Sequence, residues 1–239
     1  MTTVTLSSFS FIQKGKGKDL VFLHGYLSSK EAFTAQIAYF SRFYRVTAID
    51  FLGFGGSKLL TTPFSVADYA AWTKEVFTLL GIEKPHIVAH SFGCRVAVKM
   101  LAEDNGLADK LVMTGPAGII RGRGLSYWVR VKSYRLVKRF APRFAERKFG
   151  SAEYRSLSPI MRESYKKIVN EDLRKDAAKI SNPVLIVEGE SDQTTPLAEA
   201  KIYLQNLQNG ELKTVRGGHF AFAEEPFLFN LIIEEFLYD

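Results

Sequence analysis

A chain of 239 residues, 46% of them hydrophobic and 24% charged, is long enough for one sizeable core. No apolar run approaches the roughly 20 residues that span a bilayer, and the start Met1-Thr2-Thr3-Val4 lacks the basic and apolar stretches of a secretory signal. One cysteine, Cys94, excludes an internal disulfide framework and fits a reducing compartment, so a soluble cytoplasmic protein is expected.

Residues 3–13 read as one or two antiparallel edge strands. Gly15-Lys16-Gly17-Lys18 lacks the spacing of a phosphate loop and reads as a hairpin turn into a strand over 19–23, which ends at His24-Gly25. Phe33, Gln36, Ile37 and Phe40 stand at i, i+3, i+4 and i+7 and predict a helix. A buried strand over 44–49 ends at Asp50. Residues 65–80 give the clearest helix: Ser65 and Asp68 form a capping pair, Val66, Tyr69, Ala70, Val76, Phe77 and Leu80 make one stripe, and Gly81 stops it. Strands over 85–89 and 110–114 flank a helix over 95–103. A strand over 184–188, a helix over 197–208, a strand over 211–215 and a helix from Pro226 complete the pattern. Alternating short buried strands and helices imply an α/β protein with a mostly parallel sheet and helices on both faces.

The strongest chemical signal is Ala89-His90-Ser91-Phe92-Gly93, set between a strand and a helix. A serine on such a sharp turn projects its hydroxyl above the sheet, and the residues two before and two after must be small. Ala89 stands where glycine is usual and is small enough. The competing reading is a serine that merely caps the following helix. A serine hydroxyl needs a base, and four histidines are available. His24 sits in a strand-end turn, His86 begins a strand, and His90, next to Ser91, should point away from it. His219, in Gly217-Gly218-His219-Phe220 between the last strand and the last helix, is the expected base.

The base in turn needs a carboxylate. Glu188, Glu190 and Asp192 follow the penultimate strand. Asp192 lies well beyond the strand end and is expected to fill the role, with Glu190 as runner-up. The oxyanion would be held by two backbone N–H groups, those of Phe92, directly after the serine, and Tyr26, after His24-Gly25. Asp50 reads as structural and Cys94 as a buried packing residue.

His24-Gly25-Tyr26, Asp50-Phe51-Leu52-Gly53-Phe54-Gly55-Gly56-Ser57, Ala89-His90-Ser91-Phe92-Gly93, Gly189-Glu190-Ser191-Asp192 and Gly218-His219-Phe220 together resemble the successive signature blocks of the α/β-hydrolase superfamily. The likeness is to small bacterial esterases and carbon–carbon bond hydrolases. It implies an eight-stranded, mostly parallel sheet, a cap inserted after the sixth strand, and a Ser-Asp-His triad working without cofactor or metal.

The net charge of +7 is unevenly spread. Residues 117–180 hold 17 Lys and Arg against 6 Asp and Glu, leaving 15 against 19 elsewhere. The basic unit falls between two strands, so residues 116–182 are expected to form a helical cap on a core built from 1–115 and 183–239. Leu125, Trp128, Val129, Leu136, Val137 and Phe140 line up at helical spacing within it, and Pro142 and Pro159 divide it. Its charge reads as a solvated surface, as attraction of an anionic small-molecule substrate, or as transient contact with acidic lipid, not stable membrane association. Nucleic-acid binding is not expected, since no recognition motif accompanies the charge, and no pattern specifies an oligomeric state. The leading expectation is hydrolysis of a carboxylic ester or related acyl compound. The rivals are carbon–carbon bond hydrolysis beside a carbonyl, and a small-molecule receptor that keeps the same pocket.

Overall fold

The computed structural model describes residues 4–120 and 156–238. Its strands are β1 (Phe11–Lys14), β2 (Asp19–Leu23), β3 (Arg45–Ile49), β4 (His86–His90), β5 (Leu111–Thr114), β6 (Val184–Gly189) and β7 (Gly210–Val215). They form one sheet in the order β1-β3-β2-β4-β5-β6-β7. Only β1 against β3 is antiparallel; the other five pairings are parallel.

Side chains alternate between the faces of a strand, and here both faces are covered. Val21 and Leu23 of β2 point to a layer made by α2 (Val66–Leu80), α3 (Phe92–Glu103) and α6 (Leu197–Asn206). Leu20 and Phe22 point to the opposite layer, made by α1 (Thr34–Phe40) and α8 (Pro226–Tyr238). Two-sided burial explains why β2, β4 and β6 read as continuous apolar runs. Helix α2 starts as expected, with Ser65 and Asp68 exchanging capping bonds, and it ends on Gly81 in the left-handed region. Helix α3 begins at Phe92, three residues earlier than the apolar pattern indicates.

Three expectations change. The described residues hold seven strands, not eight, because the N-terminal stretch closes a turn: both the N–H and the Oγ–H of Ser8 donate to the Thr5 carbonyl, at 2.8 and 2.6 Å. With one strand fewer in front, the inserted segment follows the fifth strand. The Gly15–Lys18 stretch is also no hairpin, since β3 lies between β1 and β2. It turns tightly, with Gly15 at φ 87 and Gly17 at φ 107, against the backbone of residues 41–44.

Of the expected cap, the 125–140 stripe and Pro142 lie outside the described residues. Residues 156–182 contain α4 (Pro159–Val169) and α5 (Arg174–Ala177). Pro159 opens α4 behind the N-cap Ser158, where a missing N–H costs nothing. Tyr26 Oη donates to the Met161 carbonyl, and Ser164 Oγ accepts from the Phe64 N–H, at 3.2 and 2.9 Å, which ties α4 to the core loops. No described helix is long and apolar enough to cross a membrane. The short α7 (Ala221–Glu224) precedes α8.

Candidate active site

Ser91 sits between β4 and α3 with φ 49 and ψ −105, a conformation that disfavours any side chain. It is the N-cap of α3, yet its side chain makes no capping bond. That disposes of the reading in which the hydroxyl serves the helix. The turn is possible because Gly93 has no side chain: a Cβ there would lie 2.2 Å from the Leu23 carbonyl oxygen and 2.9 Å from that of His24. The helix start leaves the Phe92 N–H without an intrahelical acceptor.

Asp192 and His219 meet. Nδ1 of His219 lies 2.7 Å from Asp192 Oδ2. With a carboxylate as partner, Nδ1 carries the proton and Nε2 is the acceptor of the neutral ring. The other Asp192 oxygen accepts the N–H groups of Thr194 and Thr195 at 2.7 and 3.0 Å, and Thr195 Oγ1 donates to Oδ2 at 2.9 Å. Burial raises the Asp192 pKa, but the His219 and Thr195 bonds outweigh it and hold the carboxyl below the usual range. Thr195 Oγ1 also lies 3.2 Å from His219 Nδ1, a supporting role that the sequence reading missed.

The two loops are drawn together by backbone contact. A Cβ on Gly189, at the end of β6, would lie 2.2 Å from the Gly218 carbonyl oxygen, and the Ser191 N–H donates to the Gly217 carbonyl at 2.9 Å. Glu190 is exposed on the outer side of this junction, so the runner-up acid is set aside. Glu188 is fully buried; burial first, and then the charge of Asp192, push its carboxyl up to about 9. It therefore holds a proton at neutral pH.

The remaining histidines are buried and neutral. His24 ties two loops: its Nδ1–H donates to the Gly25 carbonyl at 2.7 Å and its Nε2 accepts the Phe51 N–H at 3.0 Å, while burial lowers its pKa to about 4. Burial lowers His86 to about 4 as well. His90 has a role that the sequence does not announce. Its ring packs 4.7 Å from that of His219, and its Nε2–H donates to the His219 carbonyl at 2.9 Å, so it helps to seat the loop. Burial takes its pKa to about 3.

Asp50 is structural, as expected. It accepts the Lys30 N–H and the Gly56 N–H at 2.7 and 2.8 Å and pairs with Lys30 Nζ at 2.8 Å. Cys94 is buried, and burial drives its thiol pKa far up.

Ser91 and His219 share a cavity of about 440 Å³, with Tyr26, Phe92, Arg95 and Glu199 also in its walls. Its floor is the C-terminal edge of the parallel strands, where open α/β sheets place their sites. Among the aromatics, Phe92 and Phe220 line it, whereas Phe54 and Phe222 are buried in the packing around it. Tyr165, Ile168 and Val169 of the α4 region form its outer wall. Leu27, beside Tyr26 and in the wall of the cavity, also has a positive φ of 57, as does Lys84 away from it at φ 42. A second depression of about 440 Å³ beside Trp72 contains Asp68 and Glu75 but neither a histidine nor a strained serine.

Residues 19–131 match the family described as alpha/beta hydrolase fold. Among curated proteins, the chain is similar to the AB hydrolase superfamily protein YisY of Bacillus subtilis, with 26% identity and coverage of 93% of this chain and 92% of the relative. It is also similar to the carboxylesterase YbfK of the same species, with 26% identity and coverage of 91% and 79%. Among solved structures, an esterase from Exiguobacterium antarcticum superposes with a TM-score of 0.78 at 22% identity, covering 97% of this chain and 96% of that one. The meta-cleavage product hydrolase CumD from Pseudomonas fluorescens IP01 gives 0.75 at 22% identity, covering 96% and 94%. Strand order, the strained strand–serine–helix turn and the match over residues 19–131 together give this chain the α/β-hydrolase fold.

Proposed function

We propose that the chain is a serine hydrolase acting on a carboxylic ester or related acyl compound, with Ser91 as nucleophile, His219 as its base and Asp192 orienting that base. The observation that carries this reading is the 2.7 Å Asp192–His219 bond at a cavity shared with a serine on a strained turn. The carboxylesterase among the curated relatives supports an ester as substrate.

In the proposed reaction, Ser91 Oγ attacks the carbonyl carbon while His219 Nε2 takes its proton. The oxyanion accepts from the Phe92 and Tyr26 backbone N–H groups. His219, now an imidazolium held by Asp192, protonates the departing alcohol, leaving an acyl group on Ser91. Water, deprotonated by His219, then releases the acid and restores the serine. Residues 116–182 serve as the cap, with α4 closing the outer wall. The aromatic rings of Phe92 and Phe220 favour short acyl chains.

A fluorophosphonate probe tests the assignment. Labelling of the wild type that vanishes in Ser91→Ala supports it. A folded wild type that resists labelling contradicts it and leaves the receptor reading standing. Running p-nitrophenyl esters of rising chain length beside a ring-cleavage dienoate separates ester from carbon–carbon chemistry, and faster turnover of long chains would overturn the short-chain preference.

A further inference from the structure

We propose that Arg95 anchors a carboxylate of the substrate, so that the compounds cleaved in this cavity are acyl compounds bearing a second, anionic carboxyl group away from the scissile bond. This rests on the reading of Ser91 as nucleophile.

Arg95 lies four residues after Ser91 on α3, one turn further along the same face, and it lines the same cavity. It is only 7% exposed. Its Nη1 donates to the carbonyls of Ile168 and Glu171, both at 2.9 Å, which fixes the plane of the guanidinium at the end of α4. Among the described residues no carboxylate forms an ion pair with it, and Nε and Nη2 have no protein acceptor.

That is an unusual condition for a buried charge. Arginine stays protonated at any physiological pH, and a desolvated cation without a directly paired counter-ion is costly. Burial accordingly lowers the Arg95 pKa, against the fields of Tyr203, Glu171 and Glu199. Two backbone carbonyls are within the capacity of a neutral amide; a cation exceeds that need. The uncommitted Nε–Nη2 edge presents two parallel N–H groups, the geometry that grips a carboxylate in a bidentate manner. Four residues of α-helix rise about 6 Å, which suits monoesters of dicarboxylic acids with four to six carbons. The basic excess of residues 117–180 adds attraction for such anions.

The test compares kcat/KM for monomethyl glutarate and its neutral counterpart dimethyl glutarate. The wild type is expected to favour the monoester. In Arg95→Met the monoester-to-diester ratio falls about 10- to 100-fold, the range for losing a charge-assisted bond pair, and Arg95→Lys restores part of it. A residue that merely holds the end of α4 would change both rates together and leave the ratio alone. An unchanged ratio in Arg95→Met, or a wild type that prefers the diester, overturns the proposal. Should Arg95→Met fail to fold, competition decides: glutarate must inhibit the wild type more strongly than glutaramide, and equal inhibition counts against the anchor. Calorimetric binding of glutarate to Ser91→Ala reads the anchor without any chemistry. Its failure alongside intact Ser91 labelling rejects Arg95, whereas absent labelling rejects the nucleophile.

Discussion

Replacing Glu188 with glutamine isolates the energetic consequence of burying a second carboxyl beside Asp192. The native Glu188 titrates near 9, against 4.5 for an ordinary glutamate. Between those values the native state keeps a proton that the unfolded chain has lost. Stability contributed by Glu188 is therefore fully present below 4.5 and is lost as pH rises towards 9, at about 1.4 kcal/mol per pH unit. At pH 7 the accumulated loss is about 3 kcal/mol, or roughly 6–12 °C in melting temperature for a domain of this size. Glutamine has the shape of the protonated carboxyl and does not titrate. Glu188→Gln and wild type should accordingly unfold at nearly the same urea concentration near pH 4.5 and diverge steadily as pH rises to 8, the variant being more stable. Taking the difference between the two proteins cancels the other titrating groups. A difference that stays flat from pH 5 to 8 would mean that Glu188 is already ionised in the native state, and the reasoning would fail.

Asp192→Asn removes the acceptor that fixes the His219 tautomer; kcat on p-nitrophenyl acetate should fall about 10³- to 10⁴-fold, and a loss below tenfold would contradict the orienting role. Gly93→Ala drives a Cβ to 2.2 Å from the Leu23 carbonyl oxygen, a clash with backbone expected to cost about 3 kcal/mol or more in urea unfolding; a cost under about 1 kcal/mol would show that the turn relaxes freely. His24, His86 and His90 are held neutral, with pKa values lowered to about 4, 4 and 3. Unfolding frees them to take up protons, so stability should fall as pH drops from 6.5 towards 4, by about 2–4 kcal/mol per unit at its steepest, and a flat urea midpoint over that range would refute it.

The sheet was readable in the sequence because burial on both faces writes apolar runs of fixed length, as in residues 184–188, and glycine or a capping pair punctuates the helices, as at Ser65, Asp68 and Gly81. The meeting of Asp192 and His219 was readable too, since each sits just past the end of a parallel strand. What escaped was set by long-range packing. Nothing local to Gly15–Lys18 announces that β3 will separate β1 from β2. Nothing around Thr195 or His90 tells that one will bridge the Asp192–His219 pair and the other will hold the His219 carbonyl. For Arg95 there was a signal, a cation set among the apolar, fully buried neighbours Cys94, Val96, Ala97 and Val98. A charge on a buried face calls for a partner, and that question is answerable from sequence alone.

The central claim is that an acyl group passes through Ser91. Mixing the protein with p-nitrophenyl acetate, quenching in acid within the first turnovers and mapping the peptides by mass spectrometry reads that step directly. One acetyl group on the peptide containing Ser91, absent from Ser91→Ala, is the predicted result. Ester hydrolysis at an undiminished rate in Ser91→Ala, with no acylated peptide in the wild type, would contradict it.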